Sequence, residues 1–376
     1  MDVFVFIIST IVFLYSLMLL SLIAGFYRIQ EETYKTEVPV NDFSIIVPFR
    51  NEEDNLEILV ESLNRIEFPK NKFEVIFVND NSEDHSLEIL IKVLKLISFK
   101  YKVLSQDTEV HGKKEALTLG ISNSNYPWII TTDADCYVRP LWLKLYDQKL
   151  EETDVVMLAG PINFTSDESG FIDAFQKLDL FALIGASIGS FGIGKPIVNN
   201  GANLLFSKEA FYAVSGYEGN IEIASGDDMF LMEKFKEKYP TKLSYLKAYG
   251  AIVYTRSIRE FNDFINQRLR WSAKSSSYGS VYVKVIGAGV GIANLALIIL
   301  FLLAIFGVSL RNVLPIILLK LIVNLWLIKI TSNFLRDDKK LYYYPIVSMV
   351  YPFYILIIAV ASQFTTFEWK GRTFKK

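Results

Sequence analysis

The chain of 376 residues contains a single cysteine, Cys136. An internal disulfide is therefore excluded, and cysteine usage gives no sign of an oxidising compartment. Neither sign of charge is in excess. Lys and Arg number 39 against 41 Asp and Glu, a net charge of −2, so the electrostatic footprint of a nucleic-acid binder is missing. Repeats at solenoid periods and low-complexity tracts are also lacking. The chain opens MDV with no basic region, and its first apolar run is longer than a signal peptide needs. No small-x-small cleavage site follows, so a retained anchor is expected.

What is abundant is apolar length. Half of the residues are apolar (51%) and mean hydropathy is positive, which is high for a soluble protein. Residues 3–27, 285–310 and 341–367 carry no charge. Each run exceeds the roughly 20 residues that a hydrocarbon core requires. Between the first two lies a block of ordinary globular composition. The expected organisation is an anchor at 1–28, a polar linker at 29–42, a soluble domain at 43–280, and a membrane region of about three helices at 281–376. A further segment, NVLPIILLKLIVNLWLIKI, carries Lys320 at its middle. A lysine there is costly in lipid and is expected to face protein, water or a lipid phosphate. If this segment crosses there are four spans, the expectation preferred here, and the basic tail KGRTFKK falls on the far side. If it does not, RDDKK falls there instead.

From Phe43 the pattern alternates. FSIIVP, FEVIFVND, YKVLSQ and PWIITTDAD read as strands, while NLEILVESLNRI, SLEILIKVLKLI and KKEALTLGISNS read as helices. A turn is expected at Pro69. This alternation implies an α/β domain with a mostly parallel sheet, whose ligands gather at the carboxyl ends of the strands. The polar clusters RNEEDN, NDNSED and DAD each begin where a strand is expected to stop. After Asp135 the pattern is less regular, with a strand at VVMLAG, a long helix at 171–191 and a basic helix ending QRLRW. The helix at 171–191 suits either a place against the bilayer surface or the core.

Asp133 and Asp135 flank one small residue, and like charges so close call for a cation between them. One or two carboxylates, completed by phosphate oxygens and water, are a usual Mg²⁺ or Mn²⁺ arrangement. Lys113 and Lys114 start a helix, where a cation opposes the dipole unless an anion is near; a solvated surface pair is the alternative. Asp227 and Asp228 precede a helix, where acids also serve as caps, and one of them could take a proton from a hydroxyl. Gln267, Arg270 and Trp271 lie within little more than one turn. They suit a diphosphate and a sugar ring, or an Arg and Trp at a membrane interface.

In this order the motifs resemble the membrane-bound family 2 glycosyltransferases. The residues that carry the resemblance are IIVPFRNEE (45–53), FVNDNSED (77–84), GKKEAL (112–117), TTDAD (131–135), GANLLFSKEAF (201–211), SGDD (225–228) and QRLRW (267–271), with WKGR at 369–372. The resemblance covers about 43–271. It implies a GT-A (Rossmann-like) fold and inverting transfer from a nucleotide-diphosphate sugar to a membrane lipid or lipid-linked acceptor, with a divalent cation (Mg²⁺ or Mn²⁺). It also implies a cytoplasmic catalytic domain at the cell's inner membrane. On that basis Pro48, Asn51 and Glu52 line the nucleotide pocket and Asp80 bonds the base. Lys113 is the family lysine, Asp133 lies near the donor sugar or ribose, Asp135 ligates the metal and Asp228 is the base. Asp227, Gln267, Arg270 and Trp271 meet the diphosphate and acceptor. The stretch Asn79, Asp80, Asn81, Ser82 departs from the two acids before Gly-Ser that are frequent there, which leaves the donor nucleotide open. Asp227 stands where glutamate is common, and Thr118 replaces a frequent asparagine. A processive polysaccharide synthase is the alternative. A non-catalytic nucleotide-sugar sensor is disfavoured because the acids and Arg270 are all present.

Overall fold

The computed structural model describes residues 2–35, 38–107, 111–165, 170–219, 226–273, 279–364, 367–369 and 372–374. Ser225 of SGDD and Lys370 and Gly371 of WKGR lie outside the described residues. A long helix, α1 (Asp2–Arg28), precedes the α/β block. The block begins β1 (Phe43–Phe49), α2 (Leu56–Asn64), β2 (Phe73–Asn79), α3 (Ser86–Val93), β3 (Lys100–Ser105), α4 (Lys113–Ser122), β4 (Trp128–Thr131). Every residue of β1 and β2 is buried, as expected where helices cover both faces of a parallel sheet. Leu56, Leu59, Val60 and Leu63 form the buried stripe that docks α2. Pro48 is tolerated inside β1 because pairing with β4 ends at Ile46–Thr131, beyond which a missing N–H costs nothing on that side. The expected turn at Pro69 forms, closed by Lys72 N–H to Pro69 O at 2.9 Å.

The second half adds β5 (Cys136–Tyr137), α5 (Trp142–Glu152), β6 (Met157–Ala159), β7 (Ile162–Thr165), α6 (Phe171–Gly192), β8 (Leu204–Ser207) and α7 (Lys208–Ala213). It continues with α8 (Asp227–Lys238), β9 (Leu243–Tyr245), β10 (Val253–Arg256) and α9 (Phe261–Ala273). The main sheet has the order β3-β2-β1-β4-β8-β6-β9, parallel except for β8, which runs against both neighbours. A small sheet, β5-β10-β7, lies beside it. The α/β architecture with a mostly parallel sheet is thus as the sequence implies.

The chain ends with α10 (Val281–Ile305), α11 (Leu310–Leu335), α12 (Tyr344–Ala361) and the hairpin β11 (Phe367–Trp369) and β12 (Arg372–Phe374). Among the described residues, four helical segments are long and apolar enough to cross a membrane: α1, α10, α11 and residues 341–361. Lys320 in α11 faces protein. Its ammonium donates to Asn294 Oδ1 at 3.0 Å and lies 5.2 Å from the Tyr15 ring centroid.

The joint between the block and these helices is α6, which packs on β7 and β9 and also on α1 and α11. Its charges each have a counterpart: Asp173 meets Lys340 at 3.0 Å, Lys177 meets Asp337 at 2.7 Å and Asp179 meets Arg268 at 2.6 Å. At its far end α6 touches α1 backbone to backbone. A Cβ on Gly189 would sit 2.2 Å from Leu22 O, and one on Gly192 would sit 1.9 Å from Gly25 O. No side chain fits there without forcing the helices apart. Gly189→Leu should therefore lower the melting temperature in detergent, at a cost of at least the ~1–3 kcal/mol typical of overpacking. Gly291→Ala, which meets nothing within 4 Å, should not.

Candidate active site

The ends of β1 and β2 are tied together. Asn51 and Asn81 both adopt left-handed backbone (φ 51° and 53°), which asparagine accepts more readily than most residues, and this turns both loops sharply. The Asn51 Oδ1 accepts from Glu83 N–H at 2.8 Å, while Ser82 Oγ accepts from Asn51 N–H at 3.2 Å. Glu52 is held by its N–H to Ser86 Oγ at 2.7 Å and accepts from Asn55 Nδ2 at 2.7 Å. Asp80 is buried and accepts from Gly112 N–H at 3.2 Å, which joins the second loop to the start of α4. Arg50, not singled out from sequence, is the clasp. It is buried and donates to the carbonyls of Asp80 (3.1 Å) and Asn81 and to Glu83 Oε1 at 2.6 Å.

The first residue of α4, Lys113, points at carboxylates. It donates to Asp133 Oδ1 at 2.5 Å and lies 3.8 Å from Asp227 Oδ2. The anion that a lysine at a helix N-terminus calls for is thus present as side chains. Lys114 turns away, its ammonium 4.8 Å from the Phe230 ring centroid. Burial pulls the Lys113 ammonium down, but Asp133, Asp227 and Asp228 together outweigh it and hold it above its ordinary value.

Asp135 stands at the β5 edge, where Thr255 Oγ1 donates to it at 3.3 Å from the neighbouring strand. Next to it, burial pushes the Cys136 thiol well up, and the charges of Asp135 and Asp133 add to the effect. Asp228 is positioned by the backbone: its Oδ2 accepts from Gly201 N–H at 3.1 Å and its Oδ1 from Met229 N–H at 2.8 Å. A Cβ at Gly201 would sit 3.0 Å from Asp227 Oδ2 and 3.4 Å from Asp228 Cβ, so a side chain there would crowd both acids. Thr131 Oγ1 donates to Gly201 O at 2.6 Å and so fastens this turn to the end of β4.

On α9, Gln267, Arg270 and Trp271 share the expected helix. Burial lowers the Arg270 guanidinium, opposed by Asp133, Asp227, Asp135 and Asp228, so four acids act on this one cation. The Gln267 Oε1 is buried without a hydrogen-bond partner among the described residues. Trp271 is covered on one face by Arg268, whose guanidinium carbon is 4.5 Å from the ring centroid. Tyr217, also not anticipated, is buried beside Phe211; burial, then Asp227 and Asp228, raise its phenol well above the ordinary range.

Geometrically the site is a crevice of four carboxylates and two cations at the carboxyl ends of parallel strands. That is where open α/β sheets bind nucleotides. Residues 44–212 match the family model described as Glycosyl transferase family 2. Over 286 residues the chain is 25% identical to a probable glycosyltransferase of Sulfolobus acidocaldarius, covering 73% of this chain and 58% of that one. It is 28% identical over 138 residues to the glycosyltransferase AglE of Haloferax volcanii, covering 37% of this chain and 44% of that one. The chain thus spans about half the length of these curated relatives. Its fold is that of the mannosyltransferase PcManGT of Pyrobaculum calidifontis, solved with GDP-Man and Mn²⁺, at TM-score 0.55 and 15% identity over 91% of this chain and 99% of that one.

If Lys113 holds the acids together, Lys113→Met should destabilise the domain, by roughly 1–3 kcal/mol since the pair is only partly buried. Acidification protonates carboxylates and removes their repulsion. The loss in melting temperature should accordingly be larger at pH 7.5 than at pH 4.5, as read by thermal scans of both proteins.

Proposed function

We propose that this chain is an inverting, membrane-bound glycosyltransferase, moving one sugar from a nucleoside-diphosphate donor to a lipid or lipid-linked acceptor. The observation that carries the reading is the convergence of Asp133, Asp135, Asp227 and Asp228 on Lys113 and Arg270. The linked loops after β1 and β2 take the nucleotide, with Pro48, Asn51 and Glu52 along its pocket and Asp80 at the base. Asp133, held by Lys113, faces the donor sugar or ribose. Arg270, whose planar fork matches phosphate oxygens, meets the diphosphate, with Asp227, Gln267 and Trp271 around the acceptor side.

Asp135 fits a hard divalent cation such as Mg²⁺ or Mn²⁺. Its oxygens lie beside the hydroxyl of Thr255, and no group of three or more His, Cys, Asp or Glu able to hold a metal by itself occurs among the described residues. A site with so few protein ligands suits an ion that keeps water and phosphate oxygens in its shell. When bound, such an ion supplies Lewis-acid stabilisation of charge on the leaving diphosphate. Asp228, oriented by two backbone N–H groups, accepts the proton of the acceptor hydroxyl. The acceptor oxygen bonds to the anomeric carbon as the bond to the diphosphate oxygen breaks on the opposite face, so configuration inverts without a covalent enzyme intermediate. Arg270 offsets the charge that develops on the departing group.

A lipid acceptor is supported by a cavity of about 270 Å³ between α1, α6, α10, α11 and α12, lined mostly by apolar side chains. Asp179, at its wall, pairs with Arg268, two residues from Arg270. Positive charge supports a cytoplasmic catalytic domain: Arg28 ends α1 and Lys35 follows it, Lys284 lies in the first turn of α10, and Arg336, Lys339 and Lys340 follow α11, whereas the turn at 306–309 has none and Arg311 alone stands beside it.

The test uses membranes containing the protein, a panel of labelled nucleotide sugars, and Mg²⁺ or Mn²⁺. Label is expected in the organic extract; label in insoluble polymer would replace this reading with a synthase. Asp228→Asn should lower transfer by the ~10²–10⁴-fold typical of a lost general base while donor binding persists. Near wild-type turnover in that variant would remove Asp228 from its role. In the same membranes Asp135→Ala should abolish the cation dependence of donor binding, measured by equilibrium dialysis of the labelled nucleotide.

A further inference from the structure

By length and apolarity residues 341–361 qualify as a fourth membrane span. The segment packs on α10, and Tyr344 Oη donates to Leu321 O of α11 at 2.7 Å, but its other contacts point elsewhere. Just before it, Asp337 and Lys340 are bound to Lys177 and Asp173 of α6. At mid-length Tyr351 Oη donates to Asp179 Oδ1 of α6 at 3.0 Å, and the Tyr354 ring stacks on Phe264 of α9 with centroids 5.8 Å apart. Just past its end the hydroxyl of Ser362 lies 2.9 Å from that of Ser272, two residues after Arg270. The following β11 also packs on α9. An α12 of 18 residues is about 27 Å long, close to the thickness of a hydrocarbon core. Were it to cross, its two ends would face opposite sides of the membrane. Instead both ends, and the middle, touch the domain that carries the crevice.

The outer face of the helix says what covers it. Ile346, Met349, Phe353, Ile357, Val360 and Phe364 are all exposed, and their steps of three and four residues place them on one stripe. The membrane level can be read from α10 and α11. Asn294 and Lys320 meet at 3.0 Å, and Lys284 and Lys329 lie ten and nine residues away from them on the same side, about 14–15 Å along each helix. On the other side the turn at 306–309 is about as far. The paired Asn294 and Lys320 thus sit near the midplane, and Lys284 and Lys329 mark the surface next to the catalytic domain. The turn that precedes α12 is at that surface, since Asp338 lies 3.9 Å from Lys329.

We propose that α12 does not cross the bilayer but lies along its catalytic-side surface, with the stripe from Ile346 to Phe364 seated at the boundary of headgroups and hydrocarbon. Only α1, α10 and α11 then span. This arrangement removes the conflict between the two basic segments, because RDDKK and KGRTFKK both fall on the side of the catalytic domain. Lipid is the partner, and the helix joins α6 and α9 to it as a lengthwise contact. None of this depends on which reaction the crevice performs.

Cys136, the single cysteine, is buried, so added cysteines can be read over a low background. Gln363→Cys, Phe364→Cys, Asp338→Cys, Phe306→Cys and Glu57→Cys would each be placed in sealed vesicles of one orientation. A membrane-impermeant maleimide is then applied from either side. Cysteines at 363 and 364 should label from the same side as those at 57 and 338, and from the opposite side to that at 306. Labelling of 363 or 364 together with 306 would overturn the proposal and restore four spans. A C-terminal epitope tag tested by protease from each side reads the same end without altering α12. Digestion from the Glu57 side supports the arrangement and digestion only from the Phe306 side refutes it.

Discussion

Four carboxylates in one crevice repel one another, and much of this structure is organised by how that repulsion is met. Lys113 reaches Asp133 and Asp227 from the first residue of α4, and Arg270 enters from α9, more than 150 residues later in the chain. The two cations therefore join the first half of the sheet to the helix that leads into the membrane. Each acid comes from the carboxyl end of a strand or the start of a helix, so the backbone holds its charge where the strands stop. Four acids against two cations leave negative charge over, which a donor arriving with a divalent cation would offset.

The same economy of charge governs α6. A helix with Asp173, Lys177 and Asp179 buried would be costly in a core or in lipid, yet each is answered by a residue from α9 or from the turn after α11. These pairs link the catalytic block to the membrane helices by partners that must both be present. The apolar remainder of α6 supplies packing on either side, and its glycines let α1 come as near as backbone permits.

Much of this was legible in the chain. Strands β1 to β4 and helices α2 to α4 announce themselves because a parallel sheet buried on both faces needs continuous apolar strands, and its helices need one apolar stripe. Asp133, Asp135, Asp228 and Lys113 could be picked out because charges at strand ends and helix starts call for partners, and Arg270 because it stands with Gln267 and Trp271 in QRLRW. Other features were hidden by short length or by packing. The reversal at β8 rests on four residues, LLFS, with no periodicity to betray their direction. Helix α5 went unread because its buried face includes Asp147 and Gln148 as well as Trp142 and Tyr146. Arg50 looked like one more polar loop residue, since its work lies in carbonyl groups that a sequence does not show. Trp271 was expected to offer an open ring, and Arg268 covers one face of it. The apolarity of α12 concealed its direction altogether, because lipid on one face and aromatic packing on the other leave the same composition as a span.

The glycine crossing of α1 and α6 has a mechanical meaning. Helices that meet through backbone atoms, with no side chain between them, have no slack along or across the contact. In the membrane arrangement proposed above, the crevice would thereby be kept at one height and one tilt above the bilayer. A membrane-held acceptor would be selected by reach as well as by chemistry: a hydroxyl too close to its anchor stays below the crevice, and one too far explores a volume in which the crevice is a small target. The protein would act as a gauge, choosing among acceptors by the length of whatever lies between lipid and sugar.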